Sequence, residues 1–349
     1  MSQNLNIGTV GTGIFATNNH LPAIQKLNEK FTPVAAFNRT KAKAIEFAKK
    51  ADIPEQNVHD TLESIMSDKN VDVLDILVPV QFNLSTLEQA VSHGKPAIIE
   101  KPIAATLDDA RAIVKLDKST DIPIVIAENW LYLKIGDILL EQLPKIGNVL
   151  GFTYRYTGPY NKSNVFMNTP WRLKPEHIGG YLSDGGVHQL ALLTKVVGPI
   201  SSVSALTKQV RETSGSDDIL FSTMHAESGV IGTFTYGSAF GATEKLGSFV
   251  IYGDAGSLTA DFSAGKPLKI TVMTGDSAQE SKVESEIEFK ENDTFGLADE
   301  FENLHEAVTK KDKSVIVSTP EKAFHHLAIV AAALESSKKG GDSIKVQKP

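Results

Sequence analysis

The sequence predicts an α/β protein, with an N-terminal doubly wound parallel sheet and a C-terminal α+β domain built on a large, mostly antiparallel sheet. Over residues 1–128, short apolar runs alternate with helix-like segments, which is the pattern of parallel strands joined by helical crossovers. Over residues 129–349, strand-like runs separated by turn residues dominate. The chain has 349 residues, more than one hydrophobic core usually serves, so two domains are expected.

The predicted strands of the first domain are short and almost wholly apolar, as expected when helices cover both faces of a parallel sheet. Thr106, followed by Asp108 and Asp109, is a typical helix start, and Gly94 before Pro96 is a typical stop. The predicted strands are 6–10, 32–37, 71–78, 97–99 and 122–127, and the predicted helices are 21–29, 41–50, 62–67, 84–92 and 107–117.

The second domain is predicted to be a sheet with helices on one face, and to bind the substrate. Its helices are predicted at 131–143, 187–197, 297–311 and 319–339. Such a large sheet could pair with another subunit, so a homo-oligomer, in the simplest case a dimer, is expected to form through it. The predicted strands are 149–156, 203–210, 219–226, 230–236, 248–252, 258–260, 268–273 and 285–289.

Composition excludes several classes of partner. The net charge of −7 leaves no basic stripe for nucleic acid, and no apolar run approaches the ~20 residues of a membrane span. Without cysteine there are no disulfides or thiolate sites, and His325-His326 lacks a third ligand, so no metal is expected. The first strand begins close to Met1, which leaves no room for a targeting peptide. A cytoplasmic protein is therefore expected, with presence in the nucleus left open.

A glycine turn, Gly11-Thr12-Gly13-Ile14-Phe15-Ala16, stands between the first strand and its helix, where a Rossmann fold binds pyrophosphate on backbone N–H groups. The next strand ends where such folds read the ribose, and an Arg there can bind a 2′-phosphate that an acid would repel. The pattern predicts NADP(H); the alternative is a surface Arg beside a structural turn. The predicted cofactor-binding residues are Gly11, Gly13, Ile14, Phe15, Asn38, Arg39, Thr40 and Lys43.

Glu100-Lys101-Pro102 follows the strand at 97–99, at the edge where an open α/β sheet presents its ligand crevice. A lysine there can donate a hydrogen bond to a substrate hydroxyl or carbonyl oxygen. The alternative is a solvated lysine in a loop.

A second candidate constellation is Asp184-Gly185-Gly186-Val187-His188. Residues four apart share a face of a helix, so Asp184 could orient the imidazole, and His188 could accept a proton during alcohol oxidation. The two glycines are expected to leave room for a ligand. The alternative is an N-capping Asp and a buried His. By contrast, His20 is expected to be a helix N-terminal residue rather than a catalyst.

Together these segments resemble the glucose-fructose oxidoreductase, inositol dehydrogenase and rhizopine catabolism (Gfo/Idh/MocA) family over almost the full chain. The resemblance rests on the GTGIFA turn followed by HLPA, on the Glu-Lys-Pro motif, on Trp171-Arg172 and on the DGGVH segment. AENWLYL, SDGGVHQLAL and FTYGSAFGATEK look like a fungal subgroup of NADP-dependent oxidoreductases.

The resemblance implies roles for individual residues. In dehydrogenases of the family, the residues matching Lys101 and His188 bracket the reacting carbon, with the acid matching Asp184 nearby. His188 would then be the general acid/base, Lys101 would orient the substrate oxygen, and Asp184 would position both. The resemblance also implies cofactor contacts from Pro79, Asn83, Glu100, Lys101 and Asn129, and substrate contacts from Lys101, Trp171, Arg172, Asp184 and His188.

The sequence thus predicts an NADP(H)-dependent oxidoreductase acting on a small carbonyl, alcohol or sugar-like substrate. Many polyol dehydrogenases of the family carry an Asp three residues after the histidine, and Ala191 stands there, which argues against a cyclic polyol. The alternative function is a non-catalytic, NADP-sensing regulatory protein of the same fold. Retention of both Lys101 and His188 favours the enzyme.

Overall fold

The computed structural model describes residues 3–163 and 173–349 and confirms the predicted α/β class with two sheets. Every strand pair of the first sheet is parallel, in the order β3-β2-β1-β4-β5-β6, as its continuous apolar runs predict. These strands are β1 (Leu5–Val10), β2 (Phe31–Phe37), β3 (Val58–His59), β4 (Val73–Ile76), β5 (Ala97–Glu100) and β6 (Ile124–Ala127).

The crossover helices lie close to their predicted positions. The Thr106 hydroxyl accepts a hydrogen bond from the Asp109 N–H at 3.1 Å, which caps its helix. Ala16–His20 form a π-helical turn that the sequence did not predict, and this turn runs directly into the first α-helix. The helices are α1 (Leu21–Lys26), α2 (Lys41–Lys50), α3 (Leu62–Met66), α4 (Asn83–Ser92) and α5 (Leu107–Lys118).

The second sheet has nine strands and is antiparallel except for one parallel pair, between its first and fourth strands in chain order. Its strands are β7 (Val149–Pro159), β8 (Ile200–Lys208), β9 (Ile219–Ala226), β10 (Ile231–Phe240), β11 (Leu246–Gly253), β12 (Gly256–Asp261), β13 (Leu268–Thr274), β14 (Lys282–Phe289) and β15 (Ile344–Lys345). They follow the order β14-β13-β12-β11-β7-β10-β9-β8-β15.

The remaining α-helices described are α6 (Lys134–Gln142), α7 (Tyr181–Val197), α8 (Leu297–Lys310) and α9 (Pro320–Lys338). α7 begins six residues before the predicted start at 187, because Leu182 and Ser183 are buried and extend its inner face through the glycine-rich segment. Tyr154 anchors α7 to β7, since its hydroxyl donates to Gln189 Oε1 at 2.8 Å in the interior. In the part of the chain that the structure describes, no helix is long and apolar enough to cross a bilayer.

The chain divides into two compact units that do not follow one simple boundary. The first contains the residues up to Tyr132 together with Asn292–Phe324, and the second contains Leu133–Glu291 and His325–Lys348. The boundary predicted after residue 128 assigns α8 to the second domain, whereas the structure packs α8 in the first unit. The physical reason is burial, because Phe301 and Leu304 of α8 complete the core that lies against one face of the first sheet.

Candidate functional site

The glycine turn has the geometry of a dinucleotide-binding turn. Gly11 has φ +94°, and a Cβ there would lie 2.2 Å from the Leu77 carbonyl oxygen, so only glycine fits. At Gly13 a Cβ would meet no described atom within 4 Å, which leaves open space in front of the turn. Ile14, at the first helical position, is 49% exposed. The turn therefore fits a pyrophosphate placed against its N–H groups.

The end of β2 is tied to this turn through Asn38. Its Oδ1 accepts from the Thr12 N–H at 3.3 Å, and its Nδ2 donates to the Thr40 carbonyl at 3.0 Å. Arg39 and Lys43 are exposed at the start of α2, whose first turn holds no acid and whose N-cap residue makes no capping side-chain bond. A helix N-terminus without a side-chain cap and with two cations beside it is a favourable place for an anion.

Hydrogen bonds from the Asn83 side chain fix the loop that carries Lys101. This asparagine is buried at the start of α4, and its Nδ2 lies 3.1 Å from each of the carbonyl oxygens of Glu100, Pro102 and Ile103. The Lys101–Pro102 peptide bond is cis, and Lys101 is partly exposed. Asn83 is thus engaged in fixing the loop.

Asn129 and Pro79, two further predicted cofactor-binding residues, differ from each other in their surroundings. Asn129 donates from Nδ2 to the Phe295 carbonyl at 2.7 Å, so it too fixes backbone. Pro79 is exposed between β4 and α4, at the start of a short 3₁₀ turn.

Beside Glu100 lies a buried charged network that the sequence reasoning missed. His20 does precede α1, as predicted, but its side chain is only 1% exposed. Its Nδ1 lies 2.8 Å from Asp75 Oδ1 and its Nε2 lies 3.0 Å from Glu100 Oε1. The available signal was Asp75 itself, an acid inside the apolar run of β4, because a buried acid needs a partner.

The protonation of this network departs from that of the free side chains. Burial lowers the pKa of His20, but Asp75 and Glu100 outweigh burial and place that pKa well above its ordinary value. Burial also raises the pKa of Asp75 and, strongly, that of Glu300 on α8. Neither carboxyl oxygen of Glu300 has a hydrogen-bond partner among the described residues. The structure therefore favours a charged His20 and a neutral Glu300.

In the second unit, Asp184 and His188 both lie on α7, one turn apart and partly exposed. The helix places both side chains on one face, as their spacing predicts. Lys101 belongs to the first unit, whereas these two residues belong to the second. Trp171 and Arg172, the other predicted substrate contacts, lie outside the described residues.

The glycines between Asp184 and His188 make room for an aromatic ring, which corrects the expectation that they leave space for a ligand. A Cβ at Gly185 would lie 2.0 Å from the Tyr236 hydroxyl oxygen, and one at Gly186 would lie 3.5 Å from the same ring. Tyr236 stacks between Tyr156, at 6.3 Å, and Tyr181, at 5.8 Å between ring centroids. No local sequence signal pairs Gly185 with a residue on β10.

Over residues 3–163 and 173–349, no group of three or more His, Asp or Glu side chains is arranged to hold a metal ion. The candidate site residues thus lie in three places: the glycine turn, the loop that carries Lys101, and the face of α7 that carries Asp184 and His188.

Comparisons with known proteins identify the family and the fold. The family profile described as the oxidoreductase family's NAD-binding Rossmann fold matches residues 5–127, and that of the family's C-terminal alpha/beta domain matches residues 141–346. An uncharacterized protein of Saccharomyces cerevisiae is 54% identical over 346 residues, which is 99% of each chain. D-apiose dehydrogenase of Rhizobium rhizogenes is 26% identical over 217 residues, covering 61% of each chain.

Solved structures show the same fold. An oxidoreductase from Thermotoga maritima superposes with a TM-score of 0.86 at 28% identity, over 99% of both chains. Levoglucosan dehydrogenase in complex with NADH and levoglucosan superposes with a TM-score of 0.83 at 19% identity, covering 99% of this chain and 100% of that one. With both family profiles matched across nearly the whole sequence, the chain belongs to the Gfo/Idh/MocA oxidoreductase family.

Proposed function

We propose that the protein is an NADP(H)-dependent oxidoreductase that acts on a small carbonyl, alcohol or sugar-like substrate. The proposal rests on the positions of two side chains that can handle a substrate oxygen, those of Lys101 and His188. Lys101 stands at the carboxyl end of β5 in a loop fixed by Asn83, and His188 lies with Asp184 on one face of α7. The family membership supports the reaction class, because its named relatives include D-apiose dehydrogenase.

The choice of NADP(H) over NAD(H) rests on the start of α2. Arg39, Thr40 and Lys43 are exposed there, and no acid stands in the first turn to repel a 2′-phosphate. An Arg can form a forked pair of charge-assisted hydrogen bonds with a phosphate, and the helix N-terminus adds partial positive charge.

In the proposed mechanism, a bound nicotinamide supplies the hydride donor or acceptor. His188 moves the proton at the substrate oxygen: it takes the hydroxyl proton during oxidation and returns it during reduction. Lys101 donates a hydrogen bond to the same oxygen and so orients and polarises it. Asp184 precedes His188 by one helical turn and orients the imidazole.

The substrate class is proposed from the relatives and from one buried position. D-apiose dehydrogenase and levoglucosan dehydrogenase are named for carbohydrate substrates, which supports a sugar-like compound here. Ala191 is fully buried on α7, so this position offers no polar group to a substrate hydroxyl. A compound with fewer hydroxyl groups than a cyclic polyol is therefore favoured.

The test is the loss of NADPH absorbance when the purified protein is mixed with a panel of aldehydes, ketones and sugars. We expect turnover with at least one compound, and we expect Lys101→Ala to lose it while still binding NADPH. Tight NADPH binding without turnover on any compound would contradict the enzyme and favour the NADP-sensing regulatory protein.

We further propose that the protein is a cytoplasmic homodimer joined through the outer face of the nine-stranded sheet. The strand register aligns Ile231, Tyr252, Met273 and Val283 in one exposed row, and Phe221 is exposed on the same face. Light scattering should give twice the 37.7 kDa chain mass, and Phe221→Arg should reduce it toward one chain. A monomeric wild type would refute the dimer.

A further inference from the structure

We propose that His20 is a positioning residue for Lys101: it fixes the Glu100 carboxylate and so holds the end of β5 from which the lysine projects. This inference rests on the proposed function, in which Lys101 contacts the substrate. It adds a residue, remote in sequence, on which the placement of that lysine depends.

The geometry gives His20 one position and two partners. Asp75 pairs with Ile98 in the parallel register of β4 and β5, so Asp75 and Glu100 lie on the same face of the sheet, two residues apart along it. The imidazole bridges them, with Nδ1 at 2.8 Å from Asp75 and Nε2 at 3.0 Å from Glu100. A bridge of this kind joins two neighbouring strands at the point where β5 ends.

Aromatic side chains hold the imidazole ring in this orientation. Phe15 lies edge-on at 5.3 Å between centroids, and Phe301 of α8 lies perpendicular to the ring at 5.2 Å. The ring is almost fully excluded from water, so a hydrogen bond to Glu100 is not exchanged for one to solvent.

Charge also favours a rigid bridge. Three acids act on His20, namely Asp75 from β4, Glu100 from β5 and Glu300 from α8, and Glu128, just after β6, acts in turn on Glu300. An imidazolium donates at both ring nitrogens and can therefore bind both carboxyl groups at once. The raised pKa of His20 agrees with this state.

Glu100 is consequently held twice. Asn83 binds its carbonyl oxygen at 3.1 Å and His20 binds its carboxylate, and Lys101 is the next residue. Because a misplacement of about 1 Å in a reacting group can cost about a hundredfold in rate, fixing both ends of Glu100 matters for the lysine that follows.

Two matched substitutions separate the two bonds of His20. An asparagine amide nitrogen falls near the position of Nδ1, so His20→Asn keeps the bond to Asp75 and loses that to Glu100. A glutamine amide nitrogen falls near Nε2, so His20→Gln keeps the bond to Glu100. His59→Asn is the control, because the His59 imidazole pairs with the Asp68 carboxylate, 3.0 Å from it, and takes no part in this network.

We expect His20→Asn to lower kcat by about tenfold to a hundredfold, with the KM for NADPH unchanged, and His20→Gln to lower it clearly less. The control should retain the wild-type kcat. Equal losses of kcat in the two His20 variants, in step with equal falls in Tm, would mean that His20 only stabilises the fold and would overturn the proposal.

A second measurement needs no substrate. The rate of reductive methylation of Lys101, followed by mass spectrometry across a pH series, should change in His20→Asn more than in His20→Gln. If the wild type turns over no compound, the proposed function fails, while a difference in methylation still supports the link between His20 and Lys101. Identical Lys101 rates in the wild type and His20→Asn would refute that link.

Discussion

Different interactions stabilise the two regions that carry the candidate site residues. In the first unit, the segment before Lys101 rests on a buried ionic network of His20, Asp75 and Glu100. In the second unit, the segment between Asp184 and His188 rests on stacked rings, with Tyr236 packed against the helix backbone. Burial raises the pKa of Tyr236 well above its ordinary value, so this ring stays neutral. The first region should therefore respond to pH, whereas the second should respond to steric change.

The largest effect is expected on kcat, from the residue of the second region that is proposed to move a proton. His188→Ala should lower kcat by about two to four orders of magnitude, because it removes the group proposed to move the proton at the substrate oxygen. NADPH binding, measured by fluorescence titration, should be nearly unchanged. If kcat stays at the wild-type value, the proton is moved by another group.

The next effect concerns cofactor choice in the first region. Arg39→Ala should weaken NADPH binding by about tenfold to a hundredfold, since a charge-assisted pair with the 2′-phosphate is lost. NADH binding should change little, which makes NADH the internal control in the same titration. Equal weakening of both cofactors would show that Arg39 does not read the 2′-phosphate.

Glu300 tests the pH response of the first region. The folded protein holds a proton on this carboxyl that the unfolded chain releases above about pH 4.5, so the free energy of unfolding should fall as pH rises toward the raised pKa. Glu300→Gln removes this titration. Its stability relative to the wild type should therefore be higher at pH 8.5 than at pH 5.5.

Urea unfolding at the two pH values measures this difference. Glu306→Gln is the control, because Glu306 lies on the same helix but is paired with Lys310 at the surface. A Glu300→Gln gain that is the same at both pH values would contradict a protonation effect.

The smallest effect is steric and belongs to the second region. Gly185→Ala should lower the free energy of unfolding by about 1–2 kcal/mol, because the new methyl group meets the Tyr236 hydroxyl. Gly186→Ala is the matched control, since its Cβ would make an ordinary contact at 3.5 Å. Adding Tyr236→Phe to Gly185→Ala should recover most of the loss. Equal Tm values for the two alanine variants would refute the contact.

Features that depend on residues close together in the sequence could be predicted from it. The glycine turn at Gly11 and the shared helix face of Asp184 and His188 were predictable, because each depends on local spacing within one turn or helix, while the cofactor and catalytic roles of these residues stay predictions. The order of strands and helices was predictable for the same reason, through the contrast between continuous and alternating apolar runs.

Contacts between distant segments were not predictable in this way. The His20–Asp75 bond joins residues 55 apart, and it depends on a π-helical turn that sets the direction of the imidazole. The fit of Tyr236 against Gly185 depends on how α7 packs on β10, which no pattern in either segment specifies. Asp75 was the one visible clue, since an acid inside a buried strand indicates an unseen partner.

The packing of α8 sets the earliest point at which this protein can finish folding during synthesis. Its Phe301 and Leu304 fill the core formed by Leu5, Phe31 and Ile98, yet residues 128–296, nearly half of the chain, are translated between the last strand of that sheet and this helix. Until α8 leaves the ribosome, the first unit presents an open apolar face. Exposed apolar surface of this kind favours aggregation, so the nascent chain is most exposed to that risk before α8 is made.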